Sequence, residues 1–127
     1  DDLNKSKIKN IKLNVSAPFH CNLMRSATEN MREEINNLDI KELKNPIISN
    51  YSAKPSLNGE DIKKLLILQI EGRVRWLESV EFMINQGTKN FIEIGPGKVL
   101  SGLVKRINRD VKISTINTES DIMNLKL

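Results

Sequence analysis

The sequence predicts an α/β fold in which a layered sheet carries flanking helices. Segments with β-like patterns alternate with segments of helical periodicity along most of the 127 residues. The clearest unit begins with an apolar run at 91–94, passes through the turn Gly95-Pro96-Gly97 into a helical face at 99–107, and ends in an alternating strand at 111–116. Strands separated by helices in this way favour parallel pairing.

The first half of the chain shows the same alternation of patterns. Residues 1–10 form a polar, Lys-rich lead-in, and residues 11–15 read as a strand. An amphipathic helix follows, because apolar residues recur at helical spacing at Leu23, Ala27, Met31, Ile35 and Leu38. Pro46 then opens a short β-like run at 47–51, and residues 54–59 have the composition of a turn.

Two further helices precede the final strand–helix–strand unit. The first is marked by Ile62, Leu65, Leu66 and Gln69, and Asp61 is the residue expected to cap its start. The second is marked by Trp76, Val80 and Ile84, with Gly87 as the expected C-terminal stop. The chain has the length of one small domain with a single modest core.

Composition places the chain among globular proteins. Hydrophobic residues make up 39% and charged residues 28%, no apolar run is long enough to cross a bilayer, and the start does not resemble a signal peptide. A single cysteine excludes an internal disulfide framework and fits a reducing cytoplasm. The net charge of +4 is compatible with nucleic acid, but 20 basic residues are interspersed with 16 acidic ones, and no basic stripe interleaves with aromatics. Nucleic-acid binding is therefore disfavoured.

His20 is the only histidine, and it lies between the predicted strand and the first helix. Strand ends that lead through a loop into a helix are where α/β folds place their chemistry. A lone imidazole there can act as a general base near neutral pH. The alternative is a histidine that caps the helix or lies on the surface.

The turn at 95–98 invites a phosphate-binding interpretation, which the sequence does not support. A Walker A loop needs Ser or Thr after the lysine, and Val99 follows Lys98. The dinucleotide fingerprint needs a third glycine where Leu100 stands. Free amides at the helix start could still hold an anion, but we expect the glycines to serve a sharp turn and close packing.

The chain offers no convincing nucleophile. Ser101 precedes Gly102, but Val99 and Leu103 occupy the glycine positions of a G-x-S-x-G elbow. Cys21 would lie near a helix N-terminus, which favours a thiolate. No second histidine exists to activate that thiol, so a small packed residue is the expectation.

Three segments resemble the C-terminal part of malonyl-CoA:acyl-carrier-protein transacylases. They are VSAPFHCNLM at 15–24, similar to the stretch around the family's catalytic histidine; QIEGRVRW at 69–76, similar to Q-x-x-x-P-V-x-W; and FIEIGPGKVLSGLVKRI at 91–107, similar to E-x-G-P-G-K-V-L-x-G-L-x-K-R-I. Arg73 stands where the family usually has proline. The resemblance is colinear from about residue 11 to about residue 118, and it implies that residues 11–127 are the C-terminal part of an acyltransferase domain with an α/β-hydrolase-like core.

The resemblance also implies an activity and its residues. The family transfers malonyl from coenzyme A to a serine, and then to the phosphopantetheine thiol of acyl carrier protein in fatty-acid biosynthesis, without a cofactor or metal. His20 matches the general base, and Gln69 matches the residue whose main-chain carbonyl holds that histidine. Phe19 matches a position that helps to select malonyl, although a core aromatic is the alternative for it. For Gln69 the alternative is a polar residue at a helix end.

Several family features are missing from the sequence. The serine motif G-H-S-x-G, the arginine that grips the malonyl carboxylate and the oxyanion-hole residues have no counterpart. We therefore expect a chain that is inactive alone and that needs an N-terminal half as well as malonyl-CoA and acyl carrier protein. The other hypotheses are an acyltransferase of polyketide assembly and a non-catalytic interaction module that keeps the fold.

Overall fold

The computed structural model describes residues 5–7, 9–10 and 17–125. The strand predicted at 11–15 lies outside these ranges, as does part of the predicted lead-in. A 3₁₀ turn at Asn22–Met24 leads into helix α1, Arg25–Asn36. Strands β1, Ile47–Ile48, and β2, Pro55–Ser56, then form a short antiparallel hairpin. Helix α2, Gly59–Glu71, follows and packs against α1.

Two predictions for this half are wrong in detail. Pro55–Ser56 pairs with β1 inside the segment predicted as a turn. The residue that caps α2 is Asn58, whose side-chain oxygen accepts the Asp61 amide at 3.0 Å, so Asp61 lies in the first turn. The helix begins three residues earlier than expected because Gly59 can lie against the backbone of Ile40, where a Cβ atom would come 2.7 Å from the carbonyl carbon.

The second half contains the parallel unit that the sequence predicts. Helix α3 spans Trp76–Asn85. Gly87 follows its C-cap with a left-handed φ of 93°, so the predicted stop is confirmed. Strand β3, Asn90–Ile94, leads into helix α4, Val99–Ile107, and then into strand β4, Lys112–Ile116. The two strands pair in parallel, from Asn90 beside Lys112 to Ile94 beside Ile116.

A short helix, α5, Glu119–Met123, was not expected from the sequence. A capping box holds its start, in which the Thr118 hydroxyl accepts the Asp121 amide at 3.3 Å and the Asp121 carboxylate accepts the Thr118 amide at 2.8 Å. The backbone hydrogen bond from Asn117, together with those from Thr118, lowers the pKa of the Asp121 carboxyl. At five residues the helix is too short to show a periodic apolar pattern.

The core of the parallel unit is built from small aliphatic side chains. Val80 is fully buried and lies with the buried Val104 and Val111. The side chains around this cluster are Trp76, Met83, Ile84, Phe91, Ile107 and Ile113. The scarcity of aromatics in the sequence is consistent with a core in which valine and isoleucine dominate.

The opposite face of the β3–β4 pair is uncovered within the described residues. Ile94 is 78% exposed and Ile92 is 40% exposed, and both point away from the Val80 cluster because side chains alternate along a strand. Parallel strands are normally covered on both faces. No helix in the described part of the chain is long and apolar enough to span a membrane.

Candidate active site

His20 lies in a tight loop that precedes the 3₁₀ turn. The Phe19 amide donates to the Ala17 carbonyl at 3.0 Å, and the Cys21 thiol donates to the Pro18 carbonyl at 3.1 Å. His20 itself has a φ of 58°, in the left-handed region that non-glycine residues seldom adopt. Backbone strain of this kind often occurs at functional sites, where the surrounding structure holds it in place.

The imidazole of His20 contacts the backbone of α2. Its Nδ1 lies 2.9 Å from the carbonyl oxygen of Gln69, 49 positions along the chain. A carbonyl oxygen can only accept, so this hydrogen bond requires the proton to be on Nδ1. In the neutral ring, Nε2 then carries the free lone pair. The structure therefore brings together two of the three predicted site residues, with the basic nitrogen of an exposed side chain left available.

The Gln69 carbonyl is available because α2 ends two residues later. Gly72 is the C-cap, with an extended ψ of 148°, and its amide donates to Leu68 rather than to a later carbonyl. The last carbonyls of an α-helix have no partner within the helix, and they carry the negative end of its dipole. His20 supplies the donor that the Gln69 carbonyl would otherwise lack.

Phe19 and Cys21 flank His20, and neither belongs to the hydrophobic core. The Phe19 side chain is 59% exposed, so the core interpretation does not hold for the described chain. Cys21 is partly buried, and its thiol hydrogen bond to Pro18 fastens the loop. The structure thus gives Cys21 a role in loop geometry.

The turn at 95–98 is occupied by the protein's own groups. The Glu93 carboxylate accepts the Leu100 amide at 3.0 Å, the Ser101 amide at 2.8 Å and the Ser101 hydroxyl. The Gly97 amide donates to the Asn117 side chain at 2.7 Å. Gly95 and Gly97 both have positive φ, which the sharp turn requires. An internal carboxylate therefore occupies the helix N-terminus that an anion would use. The sharp turn expected of the glycines is confirmed, but the expected close packing is wrong for the described residues, because a Cβ atom at Gly95 or Gly97 would meet nothing within 4 Å.

These hydrogen bonds, the one from the Ser101 hydroxyl above all, lower the pKa of Glu93 below its ordinary value of 4.5. We expect Glu93→Gln to reduce the free energy of unfolding at neutral pH. A lowered folded-state pKa contributes stability that is present above the ordinary value and lost as the pH falls through the folded-state pKa. Glutamine does not titrate, so urea unfolding of variant and wild type should converge in acid. Asp121 is present in both proteins, so its titration does not contribute to the difference between them. A difference in the free energy of unfolding that does not change with pH would contradict the prediction.

Within the described residues, no group of three or more His, Cys, Asp or Glu side chains is placed to hold a metal. Sequence reasoning missed Glu93 as a structural residue, although the acidic position of E-x-G-P-G-K was visible. Glu93 lies in strand β3 and caps helix α4 from six residues before the helix begins. A search for capping residues immediately before the helix therefore does not find it.

The fold, of mixed helix and parallel sheet, is consistent with part of an α/β acyltransferase. Comparison with known proteins indicates which acyltransferases the chain resembles. The chain is 46% identical over 112 residues to the malonyl CoA-acyl carrier protein transacylase of Bacillus subtilis (strain 168), covering 88% of this chain and 35% of that protein. It is 44% identical over 110 residues to the enzyme of the same name from Staphylococcus aureus (strain MSSA476), covering 87% and 36%. The chain is thus homologous to these transacylases and spans about a third of their length.

Solved structures agree with the sequence relatives. The acyl-carrier-protein-S-malonyltransferase of Bartonella henselae superposes with a TM-score of 0.82 at 41% identity, covering 88% of this chain and 36% of that one. A malonyl-transacylase solved in complex with its type II PKS acyl-carrier protein gives 0.80 at 34% identity, covering 88% and 36%. No protein-family model matches the chain. These comparisons do not favour the alternative of a polyketide-type acyltransferase or of a non-catalytic module.

Proposed function

We propose that this chain is the histidine-bearing, C-terminal part of an S-malonyltransferase that transfers malonyl from coenzyme A to acyl carrier protein in fatty-acid biosynthesis. The observation that carries the proposal is the hydrogen bond between His20 Nδ1 and the Gln69 carbonyl, at 2.9 Å. It fixes the tautomer that a general base requires, and it occurs in a chain with 44% and 46% identity to two malonyl transacylases.

The proposed mechanism assigns one proton-transfer role to His20. Its Nε2 accepts the proton of a serine hydroxyl as that oxygen attacks the thioester carbonyl of malonyl-CoA, and returns it to the departing coenzyme A thiolate. In the second half-reaction it accepts the proton of the carrier thiol, and returns it to the serine oxygen when malonyl leaves. The Gln69 carbonyl holds Nδ1–H and stabilises the imidazolium formed between the two transfers. No cofactor enters either step.

The serine belongs to an N-terminal half that we propose as the partner of this chain. The uncovered face of the β3–β4 pair supports that partner, since Ile92 and Ile94 leave apolar area for it to bury. The second macromolecular partner is acyl carrier protein, as the solved complex of a similar enzyme suggests. We propose a cytoplasmic location because the sequence contains a single cysteine, which lies free in the structure.

The proposal is tested by comparing this chain with the complete enzyme encoded around it. Incubation of the 127-residue chain with labelled malonyl-CoA should leave no acyl-protein ester, because no elbow serine is present. The complete enzyme should form one ester on a serine outside these residues and release label to carrier protein. A stable ester on a serine of this chain, or a complete protein without malonyl transfer, would refute the assignment.

We propose that Phe19 contributes to acyl selection, because it is exposed and directly precedes His20 in the chain. Phe19→Ser in the complete enzyme is expected to loosen discrimination against methylmalonyl-CoA, since a smaller side chain leaves room for one more methyl. One methylene or methyl group in a pocket changes selectivity by about 10- to 200-fold. The measurement is the ratio of kcat/KM for the two thioesters, with Phe19→Leu as a control of similar bulk. An unchanged ratio would assign Phe19 a purely structural role.

A further inference from the structure

The end of α2 is covered by an aromatic ring. The Tyr51 ring lies over Gly72 so closely that a Cβ atom on that glycine would come 2.6 Å from Cε2 of the ring. The same Cβ would come 2.8 Å from the Leu68 carbonyl oxygen. Real Cβ atoms do not make contacts this short, so Gly72 is required here for space. Its negative φ shows that a left-handed conformation is not the reason.

A tight turn places the Tyr51 ring. The Ala53 amide donates to the Ser49 carbonyl at 2.8 Å, and the Tyr51 amide donates to the Ser49 hydroxyl at 3.1 Å. Ser49 and Ala53 are buried, and Ala53 has a left-handed φ of 54°. A buried turn with this many internal hydrogen bonds gives Tyr51 a defined direction, although its side chain is partly exposed.

The turn is also fastened to the segment that follows α2. The Arg75 amide donates to the Asn50 carbonyl at 2.8 Å, and its guanidinium Nη1 donates to the Ser52 carbonyl at 3.0 Å. A third contact, from Nε to Glu78 at 3.2 Å, holds the same guanidinium at the start of α3. The Tyr51 turn and the chain leaving α2 therefore form one hydrogen-bonded unit around Gly72.

We propose that Tyr51, seated on Gly72, is a positioning residue that ends α2 at Glu71 and thereby holds the Gln69 carbonyl for His20. Only the catalytic consequence of this proposal rests on the proposed function; the geometric claim does not. Gln69, the acceptor for His20, lies three residues before Gly72. If the helix continued past Gly72, the amide of Arg73 would become the i+4 donor to that same carbonyl. The seated ring excludes that continuation, so the carbonyl stays available to the imidazole.

The single histidine provides a direct readout. Long-range ¹H–¹⁵N correlation spectra of the 127-residue chain, at a pH where the imidazole is neutral, contain side-chain signals from His20 alone. Wild type is expected to show the Nδ1–H tautomer. Tyr51→Ala should shift the signals toward the Nε2–H form that an unconstrained histidine prefers. Tyr51→Phe keeps the ring and should keep Nδ1–H. Leu38→Ala, which truncates a side chain of 47% exposure two residues after the end of α1, should also keep it.

A second variant approaches the same contact from the other side. Gly72→Ala should displace the Tyr51 ring and shift the tautomer as Tyr51→Ala does, while a circular dichroism spectrum confirms that the fold persists. An Nδ1–H signal retained in both Tyr51→Ala and Gly72→Ala would overturn the proposal, as would a shift in Tyr51→Phe equal to that in Tyr51→Ala. These spectra need no turnover. The two proposals can fail separately. If Tyr51→Ala shifts the tautomer but His20→Ala does not lower the activity of the complete enzyme, the positioning role is supported and the proposed function is refuted.

Discussion

Replacement of His20 by alanine is expected to lower the malonyl-transfer rate of the complete enzyme by about 10² to 10⁴-fold, the usual contribution of a general base. The fold should survive, because the His20 side chain is exposed and its truncation to alanine removes no buried side chain. The loss should appear in kcat for both half-reactions, since the same Nε2 is proposed to take the serine proton and the carrier-thiol proton. Stopped-assay kinetics with malonyl-CoA and carrier protein, beside a thermal unfolding curve, measure both quantities.

The matched control is the neighbouring residue. Cys21→Ser keeps a donor for the Pro18 carbonyl, which lies 3.1 Å from the thiol, and removes the only cysteine of the chain. It should retain most of the transfer rate if His20 acts on a serine elsewhere. A folded His20→Ala enzyme with near-normal turnover would exclude His20 as the base. Loss of activity in Cys21→Ser with retention in His20→Ala would reverse the roles of the two residues.

The parts of the fold that could be predicted from the sequence are those set by local periodicity. The parallel pair β3–β4 and the helix between them follow from alternating and helical apolar patterns, and Gly87 stops α3 where its freedom at positive φ is needed. The start of α2 could not be predicted in this way. Asn58 and Asp61 are both acceptable caps, and the choice depends on Gly59 reaching the backbone of Ile40, a contact made only in the folded chain.

The candidate site shows the same division. His20 and Gln69 could be singled out from sequence by their resemblance to a family pattern, and the structure places Nδ1 of the first 2.9 Å from the carbonyl of the second. What supports that pair was not visible. Tyr51 lies 21 residues before Gly72 in the chain, and no local pattern shows that a ring covers that glycine. Contacts between distant segments leave no periodic trace, so the residues that orient a site are harder to predict than the site itself.

Gly59→Ala is expected to lower the free energy of unfolding by about 1 to 3 kcal/mol or more, the usual range for overpacking a buried position. Its Cβ would lie 2.7 Å from the carbonyl carbon of Ile40 and 3.2 Å from the Lys41 carbonyl oxygen. Both neighbours are backbone atoms, which cannot rotate away as the end of a flexible side chain could. The start of α2 would have to move, and with it the helix that presents Gln69 to His20.

The expected loss of stability in Gly59→Ala is opposite in sign to the usual effect of this substitution in a helix. Alanine for glycine within a helix ordinarily stabilises by about 0.8 to 1 kcal/mol through helix propensity. Gly102 is exposed in α4, and a Cβ atom there would meet no other described part of the chain within 4 Å outside its own helix backbone and neighbours, so it should show that ordinary gain. Urea unfolding of Gly59→Ala and Gly102→Ala should therefore give shifts of opposite sign. Stabilisation by both would mean that α2 can start without the close approach to Ile40, and that the carbonyl it presents to His20 is not fixed by packing at the opposite end of the helix.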